Sequence, residues 1–286
     1  MSNKQLVAVA GRGVLPKNKL VASADDLGLT RGDGCFDATR VVTGRDGVSS
    51  VDQLEAHLAR LDRSIVGLGD EPTDLAVWHE LMAEAVDAWT RPGEATLKLV
   101  YTRGPESNPG APLMMLTITQ MSEAALAQRQ GISVVGLDLG RASDAFTDRP
   151  WLLGGVKSLS YAVNMAAKRE AERRGADDVL FLSSDGYCLE GPTAALVVAR
   201  GHELVTTPVE GTGILDSITA GLVLDAAEAK GWQTSRRLVR PAELFEADGA
   251  WLVSSVRGAA PMLRLDGREL PHDAKLSAKL AKWAGF

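Results

Sequence analysis

Between residues 119 and 131 the chain changes character: TQMSEAALAQRQG is polar, rich in alanine and without a strong apolar face. Such a stretch cannot bury a side of itself, whereas the sequence before and after it carries strands and helices of its own. The 286 residues therefore divide into two domains, in keeping with roughly 100–200 residues per domain. We place a smaller N-terminal α/β domain over 1–119, a linker over 120–131 and a larger C-terminal α/β domain over 132–286.

Within the first part, QLVAVA (5–10) reads as a strand closed by the turn Gly11-Arg12-Gly13, and GCFDATRVV (34–42) as another. Leu54, Leu58, Leu61 and Ile65 recur at the helical spacing of three and four. A second amphipathic helix spans Leu75 to Ala88. Two β-rich runs, 95–102 and 113–119, flank the breaker cluster RGPESNPG. Beyond the linker we expect strands at 132–136, 179–182, 195–199, 204–206 and 251–255, and helices at 161–174 and 216–230. Strands and helices do not alternate strictly, so the fold class is α+β rather than a doubly wound parallel sheet.

A net charge of −6 argues against a nucleic-acid partner, which asks for a basic face. Cys35 and Cys188 form neither a metal-spaced cluster nor a disulfide framework, as expected for reduced thiols in a cytoplasmic protein. The opening MSNKQLVAVAGRG is too short and polar for a signal peptide, and no apolar run approaches the ~18 residues of a membrane span. Histidines 57, 79, 202 and 272 are scattered outside any HExxH frame, so no metal is expected. GxxxxGK[ST] and GxGxxG are both missing.

Four places could carry chemistry. Lys157, in WLLGGVKSLSY, lies beside an apolar stretch and glycines, where an amine loses solvation; a solvent-facing lysine at a helix start is the plainer reading. Glu190 follows the hairpin signal Asp185-Gly186. It either faces a cavity or is an ordinary strand-end carboxylate. GTGILDSIT (211–219) precedes a helix, whose free N–H groups favour a phosphate, although simple capping by Asp216 or Ser217 suits it too. Arg60, in HLARLDRS, lies near the buried stripe. It either forks onto a phosphate or pairs on the surface.

In this order, His57-x-x-Arg60-Leu61-x-x-Ser64, Lys157, Glu190-Gly191 and the turn Leu215–Thr219 resemble the class IV aminotransferase family of pyridoxal-phosphate enzymes. The resemblance runs from about Asp25 to Gly267. It implies the fold type IV architecture of two α/β domains with pyridoxal 5′-phosphate in the cleft between them, a homodimer and a small-molecule amino substrate. Lys157 is then the lysine that carries the cofactor and moves protons. Glu190 faces the pyridinium nitrogen, and Tyr161 the phenolic oxygen. Arg60, the N–H groups of Ile218 and Thr219, and the Ser255 hydroxyl hold the phosphate.

Three reactions compete within the family. Gly32-Asp-Gly-Cys-Phe36 is similar to the segment of 4-amino-4-deoxychorismate lyases, which yield p-aminobenzoate and pyruvate. Branched-chain transaminases carry a Phe-Glu-Gly version where this chain has Phe36-Asp37-Ala38, and their Phe-x-Gly-Thr-Ala-Ala reads Leu252-Val-Ser-Ser-Val-Arg257 here. D-amino-acid transaminases favour an R-x-H pair in the loop after Arg103-Gly104, and this loop has no histidine. The resemblance thus favours the lyase, with transamination of D- or branched-chain amino acids as the alternative. Arg257, and secondly Arg103, are expected to bind a substrate carboxylate, for which a planar guanidinium is suited.

Overall fold

The computed structural model describes residues 4–16 and 18–286. These form two compact units. The first comprises the chain up to Ser122 together with Val156–Ser160; the second comprises Glu123–Gly155 and Tyr161–Phe286.

In the first unit, β1 (Gln5–Val9) turns back as β2 (Gly13–Leu15). A short helix α1 (Leu27–Arg31), capped by Asp26, leads into β3 (Gly34–Thr43). Then follow β4 (Ser49–Val51), α2 (Leu54–Gly67), α3 (Leu75–Ala88), β5 (Gly93–Thr102) and β6 (Leu113–Gln120). The six strands make one sheet in the order β2-β1-β6-β5-β3-β4, antiparallel at every pairing. Along β3 the residues Cys35, Asp37, Thr39 and Val41 are all fully buried; period-two alternation puts them on one face. The stripe expected on α2 is buried as read, with Leu58, Leu61 and Ile65 packed against Trp78, Leu97 and Leu116. Three polar residues, His57, Arg60 and Ser64, are buried on the same helix.

The stretch read as a linker is itself ordered: Glu123–Ala127 forms α4, followed by a 3₁₀ turn at Gln128–Gln130. Alanine's helix propensity accounts for it without an apolar face. Thereafter come β7 (Ile132–Asp138), α5 (Ala162–Arg173), β8 (Asp178–Leu182), β9 (Glu190–Gly191), β10 (Ala194–Arg200) and β11 (Glu203–Thr206). The remaining elements are α6 (Ile218–Glu228), β12 (Gln233–Arg236), α7 (Pro241–Leu244), β13 (Gly249–Ser254), β14 (Gly258–Leu265), β15 (Arg268–Glu269) and α8 (Ala274–Trp283). The main path of the sheet runs β12-β11-β10-β13-β14-β7-β8, with β15 on β14 and β9 on β10. It is mixed: β11/β12, β14/β7 and β7/β8 are parallel. One core, which includes Leu180, Leu196, Leu252 and Met262, lies beneath α7; another is closed by Val223 and Leu224 of α6 with Leu276 and Leu280 of α8.

Val156–Ser160, read from the sequence as part of the C-terminal domain, groups with the first unit instead. The reason is backbone pairing. β5 takes one edge of β3 along its length; on the other edge β4 pairs Val41–Thr43 and this segment takes the start of the strand: Phe36 N donates to the Lys157 carbonyl at 2.9 Å and Leu159 N to that of Gly34 at 2.8 Å.

Among the described residues no helix is long and apolar enough to cross a membrane, and no group of three or more His, Cys, Asp or Glu side chains could hold a metal. Cys35 and Cys188 are free and buried; burial pushes both thiols up to about 12.

Candidate active site

Lys157 sits on the paired segment rather than at a helix start, and it is 8% exposed. Its backbone N–H donates to Ser64 Oγ at 3.3 Å, which ties it to α2. Its ammonium lies 4.7 Å from the centre of the Phe36 ring, a distance at which the ring's negative face attracts a cation. An amine so enclosed, on a backbone held from two sides, meets the requirement for an oriented nucleophile.

On α2, Arg60 is 5% exposed, so the surface reading of it fails. It grips Asp37 side-on, Nε to Oδ2 and Nη2 to Oδ1, both at 2.8 Å. His57, one turn earlier, meets Asp37 Oδ1 through Nδ1 at 2.7 Å. Because a carboxylate only accepts, the imidazole proton is on Nδ1. Burial by itself would raise the Asp37 carboxyl, but the hydrogen bonds and charges of Arg60 and His57 outweigh it and hold the group well below the usual carboxylate range. Asp37 was not singled out in the sequence. The available signal was the pairing of His57 and Arg60, three apart on an otherwise apolar stripe, with a carboxylate at an inward position of β3.

In the second unit, Glu190 opens β9, and its Oε2 accepts the N–H of Leu215 at 3.2 Å. The hairpin turn read at Asp185-Gly186 is present, with Gly186 at φ 85°. Asp185 in turn accepts the backbone and hydroxyl donors of Ser143, at 2.9 and 2.7 Å. That fastens the loop bearing Arg141, a residue sequence reasoning missed and for which no pattern stood out. The Arg141 guanidinium stacks 4.4 Å from the Phe146 ring. Burial pushes it below its ordinary value, and the nearby Glu190 carboxylate offsets part of that effect.

The turn before α6 uses Gly211 and Gly213 at φ near 74° and 72°. At Gly213 a Cβ would fall 2.3 Å from the Phe146 ring, so both conformation and space demand glycine. Ser217, not Asp216, caps the helix, its Oγ accepting the N–H of Ala220. Capping does not use up the site. The buried Thr219 hydroxyl pairs with Ser255 Oγ at 3.0 Å, which brings two of the expected phosphate ligands together beside the N–H groups of Ile218 and Thr219. Tyr161 is half-buried at the N-terminus of α5.

The two arginines expected to bind substrate carboxylate are already committed to carboxylates of the protein. Arg257 is buried; Nη1 donates to the fully buried Asp178 at 2.6 Å and to Gln128 at 3.2 Å. Its Nε and Nη2 are enclosed without a hydrogen-bond partner among the described residues. Arg103 pairs with Asp33 at 2.8 Å and Asp70 at 2.5 Å, and also donates to the Leu68 carbonyl. Against the effect of burial, these partners raise its guanidinium above the ordinary value.

A family profile described as amino-transferase class IV matches residues 34–265. Over 257 residues, 87% of each protein, the chain is 39% identical to the bifunctional aminodeoxychorismate lyase / D-amino acid transaminase of Mycobacterium tuberculosis. A fold IV transaminase from Curtobacterium pusillum superposes with a TM-score of 0.90 at 40% identity, covering 99% of this chain and 97% of that one. The PLP-bound form of a hypothetical aminotransferase from M. tuberculosis gives 0.91 at 36% identity, covering 98% of each. The chain belongs to the class IV aminotransferase family and has the two-domain α+β fold of fold IV transaminases.

Proposed function

We propose that the chain is a pyridoxal-phosphate-dependent 4-amino-4-deoxychorismate lyase, releasing pyruvate and p-aminobenzoate for folate synthesis. The observation that carries the reading is the seat of Lys157. Its carbonyl accepts from Phe36 N and its ammonium lies over the Phe36 ring, so the segment similar to that of lyases abuts the reactive amine.

The donor set fits pyridoxal phosphate. There is an enclosed lysine, a hydroxyl pair at the N-terminus of an eleven-residue helix of the kind that takes a phosphate, and a carboxylate steadied by a backbone N–H. When bound, the cofactor supplies an electron sink for the pair left behind when a proton leaves the substrate. Lys157 would hold the cofactor through Nζ, and the same amine is the base that would accept the proton leaving the substrate. Glu190 would face the pyridine nitrogen and favour its protonated form, and the Arg141 guanidinium lies near enough to feel the Glu190 charge. Tyr161 would donate to the phenolic oxygen. Arg60, Thr219, Ser255 and the N–H groups of Ile218 and Thr219 would bind the phosphate. Because Arg257 and Arg103 are ion-paired, we assign neither a substrate carboxylate.

A second reading, transamination of D-amino acids, is favoured by one observation: the M. tuberculosis relative carries both names. Here Lys157 would serve as both base and acid, taking up a proton at Nζ and giving it back. We further propose a homodimer in the cytoplasm.

The test is to add freshly generated aminodeoxychorismate to cofactor-loaded protein and follow p-aminobenzoate fluorescence, with Lys157→Ala alongside. Formation that disappears in the variant supports the lyase. No formation above the variant rejects it, and D-alanine with a keto-acid acceptor becomes the next assay.

A further inference from the structure

We propose that Asp37 is a positioning residue for the cofactor phosphate, acting through Arg60 and braced by His57. The inference rests on the reading that Arg60 contacts the phosphate.

Asp37 is fully buried on the inward face of β3. Its carboxylate receives Arg60 Nε and Nη2, His57 Nδ1 and the Ala38 backbone N–H, all between 2.7 and 2.8 Å. A two-point grip on one edge of a planar guanidinium removes its rotation about the last side-chain bonds. The remaining edge of Arg60 then has a set direction. His57 stands one turn before Arg60 and meets the same Oδ1 that accepts Arg60 Nη2, which fixes that oxygen from a second direction.

Stability alone does not call for this arrangement. Apolar residues of similar volume often serve a core as well as a buried ion pair does. The core here also encloses His57 Nε2 without a hydrogen-bond partner among the described residues, a cost that an apolar side chain would avoid. What the triad supplies that packing does not is a guanidinium held still, and pre-set charge is what a phosphate site uses. The alternation of Cys35, Asp37, Thr39 and Val41 into the core shows how the acid reaches this depth: the strand period delivers it beneath the helix face that bears His57 and Arg60.

The test separates phosphate binding from everything else that binds the cofactor. Apoprotein is titrated with pyridoxal 5′-phosphate and, separately, with pyridoxal, which lacks the phosphate but still reacts with Lys157. The ratio of the two dissociation constants is the readout. Asp37→Asn is expected to shrink that ratio about tenfold or more, the size of a lost charged hydrogen bond, while pyridoxal affinity stays near wild type. An unchanged ratio overturns the proposal. Arg60→Ala is measured in parallel. If it leaves the ratio intact, the Arg60 reading itself falls, and the proposal with it. If it collapses the ratio while Asp37→Asn does not, the positioning role alone falls. Should Asp37→Asn fail to fold, seen as loss of pyridoxal binding and of the far-ultraviolet circular dichroism, Asp37→Glu takes its place. It keeps the charge and lengthens the reach by one methylene. A smaller ratio then supports placement, and an unchanged ratio rejects it.

Discussion

Asp178 and Arg257 illustrate how much a single buried charge constrains. Asp178 is wholly enclosed, with Arg257 at 2.6 Å and Lys168 only at 3.9 Å. Removing Arg257 strands a carboxylate, which typically costs about 3–5 kcal/mol. We expect Arg257→Ala to lose stability of that order in urea unfolding, and Asp178→Ala in the same chain to recover part of it. A raised KM for aminodeoxychorismate at unchanged stability would instead return Arg257 to substrate binding. Asp37 gives a pH signature. Its folded pKa is depressed, so its contribution is fully present above the ordinary carboxylate value near 4 and is lost as pH falls below that toward the lower folded value. Urea midpoints measured from pH 6 down to pH 2 should fall more gently in Asp37→Asn than in wild type. At the proposed phosphate turn, Thr219→Ala should weaken pyridoxal-phosphate binding about tenfold, read by absorbance titration. At this scale the sequence placed Arg60 beside the apolar stripe of α2, and the structure has it buried there. Ion-pair partners far apart in sequence, such as Asp178 for Arg257 or Asp37 for Arg60, leave no local trace.

Elements with a clean period were legible. α3 spans Leu75–Ala88 as read, because both its apolar stripe and its Asp74 cap are local. β14 was not seen because Pro261 lies in it, and proline argues against a central strand. Yet β14 lies between β13 and β7. The exception is tolerated because Pro261 pairs with Trp251 of β13, while the ladder to β7 starts one residue later, at Met262 and Ile132. α8 was overlooked although Leu276 and Leu280, four apart after the Asp273 cap, spell a helix. The turn before α6 offers a sharp test of element-level strain. Gly213→Ala must accept a positive φ and a ring carbon at 2.3 Å. We expect a lower melting temperature from a loss of about 1–2 kcal/mol or more, and weaker cofactor binding because the turn orients the helix N-terminus. Gly201→Ala, which also has a positive φ but nothing within 4 Å of the added carbon, should cost only the backbone part.

For the whole molecule, the α+β class was legible from the irregular order of strands and helices, whereas the mixed nine-stranded sheet was not, since strand order depends on contacts between distant segments. If the chain forms the proposed homodimer, light scattering behind size exclusion should give twice the 30.3 kDa chain mass; a monomer mass would remove that part of the proposal. The lysine-bearing segment has a further consequence. Five residues from the middle of the sequence, Val156–Ser160, complete the edge of a sheet whose strands all come from before Ser122. The chain therefore passes between the units three times, and the first unit is discontinuous in sequence. During synthesis, the nascent N-terminal half has emerged long before its last strand exists, with the edge of β3 bare at Gly34–Phe36 until residue 160 clears the ribosome. The Lys157 amine arrives with that final piece. A gene cut at residue 122 would yield a fragment with an open strand edge and a tendency to self-associate, and a protease nick at Ser122 in the finished protein should leave the two halves bound to each other.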